Sequence, residues 1–279
     1  MDQSPTVRGR RLMRELKRLR DASGLSLEVA AKRLDFSKSK LYRLENGRSR
    51  VSTDDLEDML DLYDVRSPQR EALIQLGRDA RRRGWWTKYS DVFTGSYVGL
   101  ESAAEKIRIN AQLVPGFLQT EGYARAVIGR TRPALDDEEV ERRVAARAAR
   151  RQALLGRDDP PEIHVVMDES VVRRQVGGRD VMREQLAVLV EAGRLPNVTL
   201  QVLPFTYGAH AGVEGEFVIL MFHEVEDSPV VYAEGLMGDF YLESEPELDT
   251  YQLAWAHMLE GALGPRESAA LLRELHDQS

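Results

Sequence analysis

The sequence predicts an α+β protein, with an all-α N-terminal domain followed by a mixed α/β C-terminal domain. Three observations predict it. From Leu12 to Tyr63 the apolar residues recur at helical spacing. Beyond residue 100, helical patterns alternate with short apolar runs such as Ile163-His164-Val165-Val166-Met167. The charge divides in the same place. Residues 1–50 hold 14 Lys/Arg against 6 Asp/Glu, a net +8, whereas the remainder is −15. A basic head on an acidic body suits a module that meets a polyanion, fused to one that does not.

The 279 residues, 42% hydrophobic and 30% charged, are enough for two domains with a substantial core. There is no apolar run of about 18 residues, so no membrane-spanning helix is expected. The N-terminus is polar and then arginine-rich, without the apolar centre of a secretion signal. The expected location is cytoplasmic and nucleoid-associated. With no Cys, disulfides, thiolate metal sites and cysteine nucleophiles are excluded.

The elements follow in order. Residues 7–23 read as a first helix with the stripe Leu12, Leu16 and Leu19 and a stop at Gly24. Arg8, Arg10, Arg11, Arg14, Lys17, Arg18 and Arg20 fill its other positions, as a solvated face or, taken together, as a cluster near phosphates. Residues 26–47, SLEVAAKRLDFSKSKLYRLENG, read as two short helices broken at Asp35-Phe36-Ser37. Ser26 and Ser37 stand where N-caps are wanted, since a hydroxyl oxygen there accepts from an unpaired helix N–H. Asn46-Gly47 suits a left-handed stop. So short and polar a helix, cationic toward its N-terminus, makes the DNA major groove the leading partner.

These residues resemble the helix-turn-helix of the phage-repressor and xenobiotic-response-element class of regulators. Ala30 is the small residue at the helix crossing, Ser37 opens the recognition helix, and Arg43-Leu44-Glu45-Asn46-Gly47 closes it. Asp35 stands where the class has Gly, and Leu27 replaces a polar residue that usually contacts a phosphate. The resemblance implies base-edge contacts from Lys38, Ser39 and Arg43. It implies backbone contacts from Ser37, Lys40, Asn46 and Arg48; Arg50 sits in the loop beyond, well placed for the same backbone.

A further helix capped at Ser52 or Thr53 brings Leu56, Met59, Leu60 and Tyr63 to a core with Leu16, Val29, Leu34, Phe36, Leu41 and Leu44. This predicts a helix-turn-helix domain over residues 1–66 and a helical linker over 67–99, with Pro68 opening its helix. In the linker, Arg81-Arg82-Arg83 precede Trp85-Trp86, rings that suit anchoring one domain or subunit on another, or a second nucleic-acid contact.

Residues 100–279 are expected to form a regulatory and dimerisation domain. Residues 100–110 fit helix or strand. Helices are expected after the turn at 113–120, over 136–155 with a stripe of Val140, Val144, Ala148 and Leu154, over 182–192, and at 250–263 and 266–275. Strands are expected at 163–167, 198–203, 217–222 and 230–232.

Over residues 97–275 the chain resembles the C-terminal domain of actinobacterial two-domain regulators, a toxin–antitoxin-like group that includes WhiJ-type regulators. LVPGFLQTEGYARAVI, PPEIHVVMDESVVRRQVGG, VMREQLAVLVE and LPNVTLQVLPFTYGAH carry the likeness. It implies a transcription factor, often encoded beside a small partner protein that it binds; direct chemistry in this domain is not part of that implication.

Enzyme signatures are absent: no Gly-x-Gly-x-x-Gly, no His-Glu-x-x-His, no nucleophile elbow. His164 and Asp168, around a strand end where α/β domains hold ligands, and His210, in the small-residue loop 207–212, are the candidates for a ligand or partner pocket. Asp168 equally suits an N-cap, and His164 alternates with core residues. No catalytic residue, metal or cofactor is expected. The expected function is a non-enzymatic, sequence-specific regulator, a homodimer on a pseudo-palindromic operator of double-stranded DNA, with input from a small partner protein. A small-molecule-sensing repressor and an antitoxin-like component are the alternatives.

Overall fold

A computed structural model of the chain describes residues 7–46, 49, 51–80, 84–93, 97–223, 227–235 and 238–279. It divides into two compact units, Met1–Ala103 and Ala104–Ser279.

The first unit is all-α. It comprises α1 (Val7–Ala22), α2 (Leu27–Arg33), α3 (Lys38–Glu45), α4 (Thr53–Leu62), α5 (Gln69–Ala80), a 3-10 turn at Trp85–Tyr89 and α6 (Tyr97–Ala103). Serines start three of these helices: Ser26, Ser37 and Ser52 accept from Val29 N, Lys40 N and Asp55 N at 3.3, 3.0 and 3.0 Å. Left-handed residues end three: Gly24 (φ 69°), Asp35 (φ 55°) and Asp64 (φ 52°). Each precedes a residue whose N–H turns back on the last helical turn: Leu25 to Arg20 O, Phe36 to Ala31 O, Val65 to Leu60 O. This is the Schellman closure, with Asp taking the place of Gly at two of the three sites. Asn46 is different. At φ −99° it ends α3 without a left-handed turn, and its side-chain amide donates to Tyr42 O at 2.8 Å; Gly47 lies outside the described residues.

The core is Leu12, Leu16, Ala30, Leu34, Leu41, Leu44, Leu56, Met59 and Leu60, with Phe36 partly buried against it. Val29, expected inside, is 43% exposed. Leu27, Ala30, Ala31 and Leu34 share one face of α2, and at about 100° per residue Val29 falls opposite. Residues 67–99, read as a linker, contribute Leu73 to this same core. Gly77 packs so closely that an added Cβ would stand 2.6 Å from Leu56 Cδ2. Trp85 meets Trp86, Tyr89 and Phe93 edge-on, with ring centroids 6.3, 6.4 and 5.6 Å apart, so these rings pack on one another within the unit. Arg81, Arg82 and Arg83 lie outside the described residues.

The second unit is built on a six-stranded sheet, order β3-β2-β1-β4-β5-β6. Its elements are β1 (Lys106–Ala111), α7 (Glu121–Thr131), α8 (Asp137–Leu155), β2 (Glu162–Asp168), α9 (Glu169–Arg173), α10 (Arg179–Ala192), β3 (Val198–Leu203), β4 (Phe217–Met221), β5 (Val230–Gly235), β6 (Gly238–Leu242), α11 (Glu245–Gly261) and α12 (Pro265–Gln278). Strands β1 to β3 are parallel and β4 to β6 antiparallel. One face packs Val166, Phe217, Ile219 and Val231 against Trp255 and Met258 of α11. On the other, Ile107, Ile109, Ile163 and Val165 are also buried, as strands covered on both sides require. The free edge of β3 is closed locally. Val202 N donates to Ser268 Oγ, and Leu263 N to Val202 O, both at 2.9 Å.

The ambiguous stretch at 100–110 holds both structures, α6 ending at Ala103 and β1 starting at Lys106. Strand β6 is legible only here: it is short, carries an exposed Phe240, and lacks a buried alternating face. Ala148, expected in the stripe of α8, is exposed; Ala146 is the buried residue of that turn, with Arg147 half-buried beside it. Arg147 Nη1 donates to the Gln119 amide oxygen. Burial, then repulsion from Arg150 and Arg132, pulls its guanidinium down to about 10.

Asp35 is exposed, so its backbone strain can be tested without disturbing packing. Asp35→Gly is expected to leave stability unchanged or raise it by up to about 1 kcal/mol, and Asp35→Val to lower it by about 1–2 kcal/mol. Urea unfolding followed by circular dichroism measures both.

Candidate nucleic-acid interface

Helix α3 has eight residues and two faces. Leu41 and Leu44 are buried at 0% and 1% exposure, and Ala30 at 0% lets α2 cross close by. One turn apart on the opposite side, Lys38 and Tyr42, and Ser39 and Arg43, are all exposed. With Leu27 these four line a shallow open groove. A helix this short does not persist by itself, so its orientation comes from what holds its inner face.

The strongest hold is an ion pair. Arg20 of α1 donates from Nε to Glu45 Oε1 at 2.6 Å and from Nη2 to Oε2 at 3.0 Å. The two side chains are 9% and 3% exposed. The remaining guanidinium donor, Nη1, reaches Leu25 O at 2.8 Å, and Asp21 lies 2.8 Å away. This planar two-point contact fixes the end of the recognition helix to α1 in one register. The hydrogen bond to Glu45 raises the Arg20 guanidinium above its ordinary value despite burial. Burial, and then the Glu45 carboxylate, pushes the neighbouring Tyr63 phenol well up, so it stays neutral. Arg20 therefore leaves the phosphate-facing cluster in which the sequence placed it. Its signal was available: Leu12, Leu16 and Arg20 share a helix face, as do Leu41, Leu44 and Glu45.

The expected DNA contacts divide into three groups. Lys38, Ser39 and Arg43 project outward, and the 3.6 Å approach of Lys38 to Glu28 is between exposed groups that a phosphate can displace. Ser37 is exposed; its oxygen accepts from Lys40 N, leaving the hydroxyl proton for an outside acceptor. Lys40 and Asn46 are engaged within the domain. Lys40 Nζ lies 2.8 Å from Asp55 Oδ1 and 3.6 Å from the Phe36 ring centre, joining α3 to α4. The Asn46 amide donates to Tyr42 O at its own helix end. Arg48 and Arg50 lie outside the described residues.

In the second unit the three pocket candidates separate. Asp168 ends β2 and caps α9, accepting from Ser170 N at 2.8 Å, and its other oxygen lies 3.3 Å from His210 Nε2. Burial would raise this carboxyl, but the hydrogen bonds from Ser170 and His210 outweigh it and hold it below its usual range. His164 stands apart, 2.7 Å from Gln201 Oε1 and edge-on to Trp255 at 5.1 Å. Burial lowers its imidazole, which the Gln201 contact only partly offsets. Asp168 and His210 thus tie the loop after β3 to the end of β2, while His164 belongs to the sheet's packing.

Comparison with known families gives two matches. A helix-turn-helix domain model covers residues 11–73, and a model described as a domain of unknown function, DUF5753, covers residues 94–274. The second spans more than half of the chain. The chain belongs to the DUF5753 family. No curated protein and no solved structure matches it. In this member the family domain follows a helix-turn-helix, which makes the chain a DNA-binding regulator. Among the described residues, no helix is long and apolar enough to cross a membrane, and no group of three or more His, Cys, Asp or Glu is placed to hold a metal ion.

Two outcomes follow from the ion pairs. Glu45→Ala, which leaves Arg20 buried and unpaired, is expected to cost about 3–5 kcal/mol of unfolding free energy, and Arg20→Met with Glu45→Leu to recover most of it. Lys40→Ala should cost at most about 1 kcal/mol of stability and change the salt dependence of DNA binding by less than one counterion. A salt slope flatter by a full ion would place Lys40 at the DNA backbone.

Proposed function

We propose that the protein is a sequence-specific transcriptional regulator that binds a pseudo-palindromic operator as a homodimer. The observation that carries this reading is the two-sided α3, with Lys38, Ser39 and Arg43 on a free face and the other face anchored in the core and by Arg20. Two copies are needed on energetic grounds, because one recognition helix reads few base pairs. A two-fold pair, by contrast, sets its helices about 34 Å apart, one turn of duplex. The second unit supplies the contact between copies and receives the regulatory input, with no catalytic step. The resemblance to xenobiotic-response-element and WhiJ-type regulators favours a small protein, encoded nearby, as that input, in a cytoplasmic, nucleoid-associated and antitoxin-like setting. The Asp168–His210 pair at a parallel strand end favours the second reading, a small-molecule-sensing repressor. Co-purification separates the two: a stoichiometric small protein supports the first and a retained metabolite the second.

Selection of bound duplexes from a random library tests the main reading. On the selected site Arg43→Ala should weaken binding by about 1–3 kcal/mol and relax discrimination at one base pair. An equal loss on random DNA argues against base reading. Sedimentation at micromolar concentration should find two chains on each selected duplex; one chain at saturation removes the dimer.

A further inference from the structure

The groove on the DNA-facing side has an apolar side within a cationic rim. Tyr42 is 46% exposed on α3, and Leu27, the first residue of α2, is half-buried with its inner side on the domain core. Lys38, Ser39 and Arg43 complete the lining. Their side chains are cationic or polar. An aliphatic and an aromatic group partly exposed in such a surface gain by being covered. The positive rim selects a polyanion to do the covering. In the major groove a duplex offers acceptors, donors and one apolar group, the C5-methyl of thymine.

We propose that Leu27 and Tyr42 form a slot for the 5-methyl group of a thymine, and so determine specificity beside Arg43. This rests on the reading of α3 as the helix in the major groove. The axial distance from Lys38 to Arg43 is about 7.5 Å at about 1.5 Å per residue. Since base pairs are about 3.4 Å apart, the whole face spans two to three steps. The thymine is therefore within two base pairs of the base read by Arg43. Leu27 acts here in place of a polar residue: it forgoes a phosphate contact and supplies an apolar wall.

The test replaces each thymine of the selected operator in turn by deoxyuridine, which removes the methyl group and leaves every hydrogen-bonding atom. With the full-length chain, one thymine per half-site should show a loss of about three- to tenfold, the scale of one buried methyl group. Tyr42→Ala, at an exposed position, should bind the thymine and deoxyuridine operators equally. Leu27→Ala should do the same. A selected operator indifferent to all its thymine methyl groups overturns the slot and leaves the operator reading standing. Persistence of the same methyl dependence in both variants overturns it too. A library that yields no preferred site defeats the operator reading and the slot together.

Discussion

The DNA-facing half of the molecule depends on one buried ion pair. Helix α3 has eight residues, and Leu41 and Leu44 are its only apolar side chains in the core. Two leucines bury enough area to hold the helix against the domain. They do little to fix its rotation or its slide along the surface, because hydrophobic contact is non-directional. Arg20 and Glu45 supply direction. A guanidinium and a carboxylate meeting at two points, from residues 25 apart in sequence, accept one geometry. Desolvating them offsets much of their attraction, so the pair is better understood as a register device than as a source of stability. Lys40 with Asp55 repeats the device on the flank toward α4. The face carrying Lys38, Ser39 and Arg43 is displayed because these internal contacts fix the opposite one.

The same economy explains why cations that look alike in sequence have different fates. Arg20 is buried against Glu45 and Lys40 is part-buried against Asp55, whereas Lys38 and Arg43 are exposed. In the second unit Arg147 lies inward beside Ala148, where the sequence placed the apolar stripe, and donates to the neutral Gln119 amide oxygen. A polar group at an inward position needs a partner, and that partner comes from a distant part of the chain. Local sequence cannot name it.

Much of the fold was legible. The helical periods of α1 to α4, the three serine caps and the left-handed Asp35 follow from local rules, because spacing, capping and φ preference act within a few residues. So do β2 and β3, whose apolar runs are those of strands covered on both faces. Strand β6 and the fate of residues 100–110 were not legible. An edge strand with exposed Asp239 and Phe240 has no burial pattern to read, and its status comes from pairing with β5. Val29 was misplaced although the period of α2 puts it outside, a case where hydrophobicity outweighed geometry.

By itself, then, the sequence determined the division into a basic helical head and an acidic α/β body, and which short helices make the helix-turn-helix. Charge and periodicity are local properties, summed along the chain. The tertiary structure alone decided which residues of those helices remain free to make contact. It paired Arg20 with Glu45 and Lys40 with Asp55, joined Asp168 to His210 while leaving His164 in the sheet, and set Leu27 beside Tyr42. Each of those outcomes depends on a partner far away in sequence, and distance in sequence carries no information about distance in space until the chain has packed.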